Sequence, residues 1–311
     1  MKLAHTFVGD PDAPHLAFLL HGVMGAGHNF RGFIKKLAKE RSDYRFVLVD
    51  LRYHHDSQGA PGPHTLQSAA EDILELAATL ERVPDAVIGH SLGGKVALLM
   101  SRLLGQDPPA QFSQNPHSLQ QVWVLDSDPG AQAPGSEHQV IQVLRALQKH
   151  PGPFAHRADA IAALQKEGLS SGLANWLGTN LGRRPAKLPG ASSSATSSST
   201  ASSETQAQEL FWKLDLPAIE ELLHDYFTLD LWPFLEEVVA GDWQNTSVPH
   251  LELLYADQSD RWSGSMKERA QQLHRSPYLD VYRLPDSGHW VHVDNPDGLL
   301  KILKENLPKR P

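Results

Sequence analysis

The sequence predicts an α/β fold: a mainly parallel, doubly wound sheet with helices on both faces and an inserted block of helices. Three observations point there. Short apolar runs at 16–20, 46–50, 86–88 and 122–125 have the length and composition of strands buried on both faces. Segments with helical spacing separate them, which is how parallel strands are connected. Between about 139 and 243 the alternation gives way to helical patterns, then resumes with the apolar run at 251–255. The expected organisation is a core formed by 1–130 and 249–311, interrupted by a helical cap over 131–248.

Taken in order, residues 3–8 read as an edge strand and 11–14 as a proline-rich turn. The strand at 16–20 runs into His21-Gly22-Val23-Met24-Gly25-Ala26-Gly27, a turn whose backbone N–H groups can face a ligand. A helix over 30–39 places Phe30, Phe33, Ile34 and Leu37 on one face. After the strand at 46–50, the stretch 50–57 opens a loop rich in turn residues. Thr65 caps a helix over 66–80 whose core side carries Ile73, Leu76, Ala77 and Leu80. The strand at 86–88 leads through a turn into a helix ending near Leu104. Residues 105–118, rich in Gly, Pro, Gln and Asn, read as an exposed loop.

The strand at 122–125 ends in Asp126-Ser127-Asp128-Pro129-Gly130. Within the insertion 140–147, 158–165 and 219–226 are helical, with no strand expected between them. The serine tract at 191–203, inside a loop over 190–205, is too polar and simple to offset its ordering entropy and is expected to be disordered. Downstream come a helix near 267–274, a strand near 279–284 and a final helix over 296–306, where Pro296 suits the first turn.

Composition removes several classes of function. The 311 residues contain no cysteine, which excludes disulfides, thiolate nucleophiles and thiolate metal sites and fits an intracellular protein. A net charge of −8 argues against a general nucleic-acid or anionic-membrane binder. No apolar run approaches the ~20 residues of a membrane span. The start of the chain lacks the basic-then-apolar pattern of a secretory signal. The expectation is a soluble intracellular protein, cytoplasmic, or organellar if a presequence is missing; oligomeric state is not legible. His54-His55-Asp56 has metal-ligand chemistry but no helical His-X-X-X-His partner, so it reads as a solvated loop with no metal. Asn245-Thr246-Ser247 is a glycosylation sequon without meaning unless the chain is secreted.

The chemistry concentrates in Gly89-His90-Ser91-Leu92-Gly93-Gly94-Lys95, between the strand at 86–88 and a good helix former. A Gly-X-Ser-X-Gly in that setting sits on a sharp strand-to-helix turn, where side chains at Gly89 or Gly93 would meet neighbouring backbone. The turn exposes the Ser91 hydroxyl at a helix N-terminus whose free N–H groups bind an oxyanion. The backbone N–H of Leu92 and, from the turn after the 16–20 strand, that of Val23 are the expected donors. A serine needs a base within hydrogen-bond reach and an acid to orient that base. The base is His289, in a Ser-Gly-His turn after the last strand; His90 points away from the hydroxyl, and His292 packs or faces solvent. Carboxylates for the acid are Asp126 after the strand following the elbow, and Asp257 or Asp260 after the next strand. Asp128 is a weaker candidate because Pro129 restricts its backbone.

Together the elbow, His21-Gly22-Val23-Met24-Gly25, Leu125-Asp126-Ser127-Asp128-Pro129 and Gly288-His289-Trp290-Val291-His292 resemble one branch of the α/β-hydrolase superfamily. It is the branch of α/β-hydrolase domain-containing protein eleven and its bacterial acyl-CoA esterase relatives. The resemblance implies an α/β-hydrolase fold with Asp126 as the acid, assisted by a serine matched here by Ser259; Asp260 near the usual superfamily position stays an alternative. Two departures stand out. The family's Arg-X-His-Gly segment reads Arg52-Tyr53-His54-His55, and the cap is long, so substrate preference does not carry over.

The expected activity is that of a serine hydrolase acting on a small-molecule carboxylic ester or thioester through an acyl-enzyme on Ser91, without cofactor. Two rivals share these residues: a lyase or carbon–carbon bond hydrolase, and a hydrolase-fold binding protein with a vestigial site.

Overall fold

The computed structural model describes residues 1–106, 119–132, 139–183, 209–241, 249–274 and 276–309. The serine tract at 191–203 and the sequon at 245–247 lie outside them, as does nearly all of the loop expected at 105–118. By internal contacts the chain divides into two compact units: Met1–Ser136 with Pro217–Pro311, and Glu137–Leu216.

The first unit is built on a seven-stranded sheet. Its strands are β1 (His5–Val8), β2 (His15–Leu20), β3 (Tyr44–Val49), β4 (Ala86–His90), β5 (Gln121–Leu125), β8 (His250–Ala256) and β9 (Leu279–Leu284). They lie in the order β1-β3-β2-β4-β5-β8-β9. Only the β1–β3 pairing is antiparallel; β2 pairs parallel with both β3 and β4. Every residue of β2 and β4 is buried, as their unbroken apolar runs require. From β2 the strand order runs outward in both directions. The carboxyl ends of β2 and β4 therefore flank a topological switch point, where such sheets place ligands.

Helices α1 (Arg31–Glu40), α2 (Leu66–Thr79) and α3 (Leu92–Gln106) connect the first strands. Leu37, Ile34 and Phe33 of α1 bury against Ala17, Leu19, Phe46 and Leu48, the residues of β2 and β3 that face that side. Thr65 caps α2 by accepting from the Ser68 amide, as its sequence position predicts. The terminal helix α11 (Pro296–Asn306) adds Leu299 and Leu303 to the core below α1. Its C-terminal end is tied down by the buried Arg41, whose guanidinium donates to the Leu307 carbonyl at 2.8 Å and to the Pro308 carbonyl. Helices α7 (Leu216–Thr228), α8 (Trp232–Ala240), α9 (Gly264–Leu273) and the single turn α10 (Val291–Asp294) complete the set that lies wholly or almost wholly in this unit.

The second unit holds α4 (Gln139–Lys149), α5 (Arg157–Lys166) and α6 (Ser171–Leu177), with a two-stranded antiparallel pair, β6 (Leu181–Arg183) and β7 (Leu210–Trp212). Two differences from the sequence expectation appear. The pair β6–β7 is a strand element where none was expected; at three residues each, the strands are too short to show alternation. Helices α6 and α8 also went unread: α6 is seven residues long, and α8 begins Trp-Pro, which resembles a break rather than a first turn. Among the described residues no helix is long and apolar enough to cross a membrane.

Glycine spacing fixes the junction of β4 and α3. A Cβ on Gly89 would lie 2.1 Å from the Gly93 carbonyl oxygen, and one on Gly93 would lie 2.5 Å from that of Leu20. Both collisions are with backbone, which cannot rotate away. Gly93→Ala is expected to lower stability by about 2–4 kcal/mol. By contrast Gly32→Ala, with nothing within 4 Å of the new methyl and a helical backbone, should raise it by roughly 0.5 kcal/mol. Urea unfolding midpoints of the two variants check the pair.

Candidate active site

The elbow takes the form its glycines allow. Ser91 has φ +53°, a strained conformation for a non-glycine residue, and stands between the last residue of β4 and the first of α3. Its N–H donates to the Leu125 carbonyl at 3.0 Å, and its own carbonyl accepts from Gly94 at 2.8 Å. The side chain is thereby pushed out over the carboxyl end of the sheet. Leu92 opens α3, so its N–H is one of the donors left without an intrahelical acceptor. On the β2 side, a Cβ on Gly22 would lie 3.2 Å from the Ser91 Cβ, so the His21–Gly25 turn passes directly beside the serine. The hydrogen bond from Gly25 N–H to the Gly22 carbonyl at 3.0 Å closes that turn around Val23.

On the other side, Asp126 is fully buried with φ +45°, at the end of β5. Its carboxylate accepts from three segments. Oδ1 takes the Ala256 N–H at 3.0 Å; Oδ2 takes the Ser259 hydroxyl at 2.6 Å and the His289 Nδ1–H at 2.8 Å. A buried charge with this many donors is compensated without a permanent counter-ion. The remaining carboxylates lie elsewhere. Asp260 is 81% exposed in its side chain and pairs with Arg261 at 3.3 Å. Asp257 binds Arg283 at 2.8 Å, which holds its carboxyl below the usual range. Asp128 accepts from the Gly130 N–H at 2.8 Å, and burial pushes it up to about 6.

Histidines surround the site, and burial keeps them neutral. His90 lies under His289 and donates from Nε2 to the His289 carbonyl at 2.8 Å, fixing the backbone of that loop. Desolvation, then the neighbouring His289 and His292, hold its pKa well below 6.5. His292 stacks on Phe30 with centroids 3.8 Å apart and is lowered to about 4. His21 accepts the Leu51 N–H on Nε2 and is lowered to about 4, and His54 to about 3, both by burial. The expected solvated loop at 54–56 is therefore corrected: His54 is fully buried and His55 mostly so, because Tyr53 and His55 adopt positive φ and fold the segment inward.

Among the described residues two groups have metal-ligand chemistry, Asp50 with His55 and Asp56, and His250 with Glu252 and Asp280. Each is closed on itself by histidine–carboxylate pairs at 3.1–3.7 Å. Sequence reasoning passed over Tyr226, which lies in α7 and whose carbonyl accepts from the Lys95 ammonium at 2.7 Å. A tyrosine in an amphipathic helix carries no local signal. The available hint was Lys95, a lysine on the buried side of the elbow helix that has to find acceptors somewhere.

Residues 17–302 match the alpha/beta hydrolase family, and the chain belongs to it. The protein is a hydrolase, and it is similar to the sn-1-specific diacylglycerol lipases ABHD11. It is 27% identical to the Mus musculus protein of that name over 305 residues, 96% of this chain and 82% of that one. To the Danio rerio counterpart it is 26% identical, covering 93% and 77%. A shorter match, 40% identical over 94 residues, joins 30% of the chain to 32% of the magnesium-chelatase 30 kDa subunit of Rhodobacter capsulatus. In fold it is similar to a solved marine microorganism esterase, with TM-score 0.74, 20% identity and 98% of each chain covered.

The neutral histidines predict acid sensitivity. His21, His54, His90 and His292 have folded pKa values below 6.5, so between those values and 6.5 the unfolded chain binds more protons than the folded one. Stability then falls as pH drops below 6.5, by about 1.4 kcal/mol per pH unit for each fully shifted group. The thermal midpoint should drop steadily from pH 7 to pH 4.5, and less steeply in His292→Phe, which keeps the stack on Phe30. Calorimetry across that range measures both.

Proposed function

We propose that the protein is a serine hydrolase that cleaves a carboxylic ester or thioester through an acyl-enzyme on Ser91. The observation that carries the reading is the 2.8 Å contact between His289 Nδ1 and the buried Asp126 carboxylate, at the carboxyl edge of the sheet that also bears the strained Ser91 turn. Asp126 holds the imidazole in the tautomer with Nδ1 protonated, which leaves Nε2 as the base. His289 takes the Ser91 proton as Oγ attacks the acyl carbonyl. The N–H groups of Leu92 and Val23 hold the resulting oxyanion, a role worth ~10²–10³ in rate per donor. The imidazolium gives its proton to the leaving alkoxide or thiolate. Water then attacks the acyl-enzyme, loses its proton to His289, and the acid departs as Oγ is reprotonated.

Ser259 belongs to this machinery as a positioning residue. Its hydroxyl occupies the carboxylate oxygen that His289 also uses, at 2.6 Å, and narrows the positions that oxygen can take. The name of the mouse relative, a diacylglycerol lipase, and that of the esterase neighbour favour an ester among the possible substrates.

The test compares four proteins on short p-nitrophenyl esters and with a fluorophosphonate probe. Ser91→Ala should abolish both turnover and labelling while keeping the unfolding midpoint. Asp126→Asn should lower kcat by roughly 10²–10⁴, since it destroys the preference for the Nδ1–H tautomer. Asp260→Asn should remain within about twofold of wild type, as expected for an exposed carboxylate. Full activity in Ser91→Ala, or a greater loss in Asp260→Asn than in Asp126→Asn, would overturn the assignment.

A further inference from the structure

His90 is the last residue of β4 and is joined to Ser91 by one peptide bond. Its backbone pairs with Leu125 of β5 and the residue is buried, so the sheet fixes its Cα. The two edges of its imidazole face different parts of the site. Nε2 donates to the His289 carbonyl at 2.8 Å, a bond in which only the nitrogen can carry the proton. The other edge lies against the turn after β2, where a Cβ on Gly22 would stand 3.1 Å from Nδ1 and 3.6 Å from Cε1. Neighbouring rings hold the plane. By centroids Phe30 lies 5.7 Å away, His292 meets the ring edge-on at 5.9 Å, and His289 is 4.7 Å distant. One ring thus spans from the turn that carries Val23 to the loop that carries the base.

His289 lies outside the sheet, in the loop between β9 and the single turn α10. Its Nδ1–H bond to Asp126 at 2.8 Å fixes one atom of the imidazole and leaves rotation about the line from Nδ1 to the carboxylate oxygen. The bond from His90 fixes the other end of the residue, its carbonyl. With both ends held, the imidazole retains only small adjustments. In the acyl-enzyme reading Nε2 has to meet Ser91 Oγ, the leaving group and a water in turn, and a drifting loop would misplace all three transfers. Because the donor is next to the nucleophile in the chain, the base is held relative to Ser91 itself. The hold also has to be made without charge. His289 becomes an imidazolium in each half-reaction, and a second cation 4.7 Å away would oppose it. Burial, then the neighbouring His289 and His292, keep His90 neutral, so it donates as the Nε2–H tautomer.

We propose that His90 is a positioning residue of this site: its Nε2–H holds the His289 backbone at a fixed distance from the nucleophile turn, so that the base meets Ser91 Oγ in line. The role rests on the acyl-enzyme reading above. It also links Gly22 to the base. A methyl group there would press on the ring, which cannot give way without disturbing the 2.8 Å bond on its other edge.

The test uses the whole chain on p-nitrophenyl butyrate, with fluorophosphonate labelling and urea midpoints alongside. His90→Leu keeps the bulk and removes the donor. Its kcat should fall about 10- to 100-fold, the scale of a misplacement of about 1 Å. KM should stay within about twofold, since the lost contact serves the reacting state. His90→Gln, whose amide N–H reaches as far as Nε2, should recover kcat to within about fivefold of wild type. That rescue separates donation from packing, because both variants lose the ring. In the wild type, long-range proton–nitrogen spectra of the imidazoles should show His90 as the neutral Nε2–H tautomer at neutral pH, a measurement that needs no variant to fold. Three outcomes would overturn this inference and leave the acyl-enzyme reading standing: wild-type kcat in His90→Leu, equal loss in His90→Gln at a normal unfolding midpoint, or an Nδ1–H tautomer at His90. Absence of both turnover and Ser91 labelling in the wild type would overturn that reading and this role with it.

Discussion

The site depends on one buried carboxylate. Asp126 brings a full negative charge to the end of β5 with no exposed surface, and a charge there is tolerable only with several donors in place. Its three partners come from the end of β8, from the loop that follows it and from the loop after β9. Desolvation thus turns a local need into a long-range constraint. To satisfy Asp126, the chain must bring residues 256, 259 and 289 onto residue 126. Two backbone bonds between the β8 and β9 loops, Asp257 N–H to Leu284 and Gln258 N–H to Ser287, hold the donors in register.

The second constraint is that the surroundings of this charge remain neutral. His21, His54, His90 and His292 all lie near the carboxyl edge of the sheet, and each is driven toward the neutral form by burial. Neutral, they act as shaped polar groups: His21 accepts from Leu51, and His90 donates to the backbone of His289 itself. Lys95 is the exception that keeps its charge partly in check, lowered to about 8 by burial while Asp128, Asp230 and Asp225 counter that. It serves the carbonyl ends of a helix and loop, which need a cation and would be unsatisfied beside an apolar residue.

Legibility in the sequence followed the range of the interaction. The strands were readable because double-sided burial writes a continuous apolar run, and the elbow because backbone collision at Gly89 and Gly93 admits only glycine. His289 was readable from its turn. The carboxylate partner was not readable from spacing alone: Asp126, Asp257 and Asp260 all end or follow core strands. What separates them is a hydrogen-bond geometry that no local pattern encodes. Burial of His54 was lost because a histidine-rich segment looks polar, whereas positive φ at Tyr53 and His55 turns it inward. The place of Tyr226 was invisible for a similar reason, since its carbonyl meets a lysine 131 positions away.

The division of the chain follows from the same physics. Every residue proposed for the chemistry, from Val23 through Ser91 and Asp126 to Ser259 and His289, lies in the unit formed by Met1–Ser136 and Pro217–Pro311. So do all the hydrogen bonds that position them. Lys95 shows why helix α7 groups with this unit although it follows the insertion in sequence: its C-terminal carbonyls are needed to neutralise a buried ammonium four residues from Ser91. Among the described residues, the segment Glu137–Leu216 has its own helices and strand pair and supplies none of these partners.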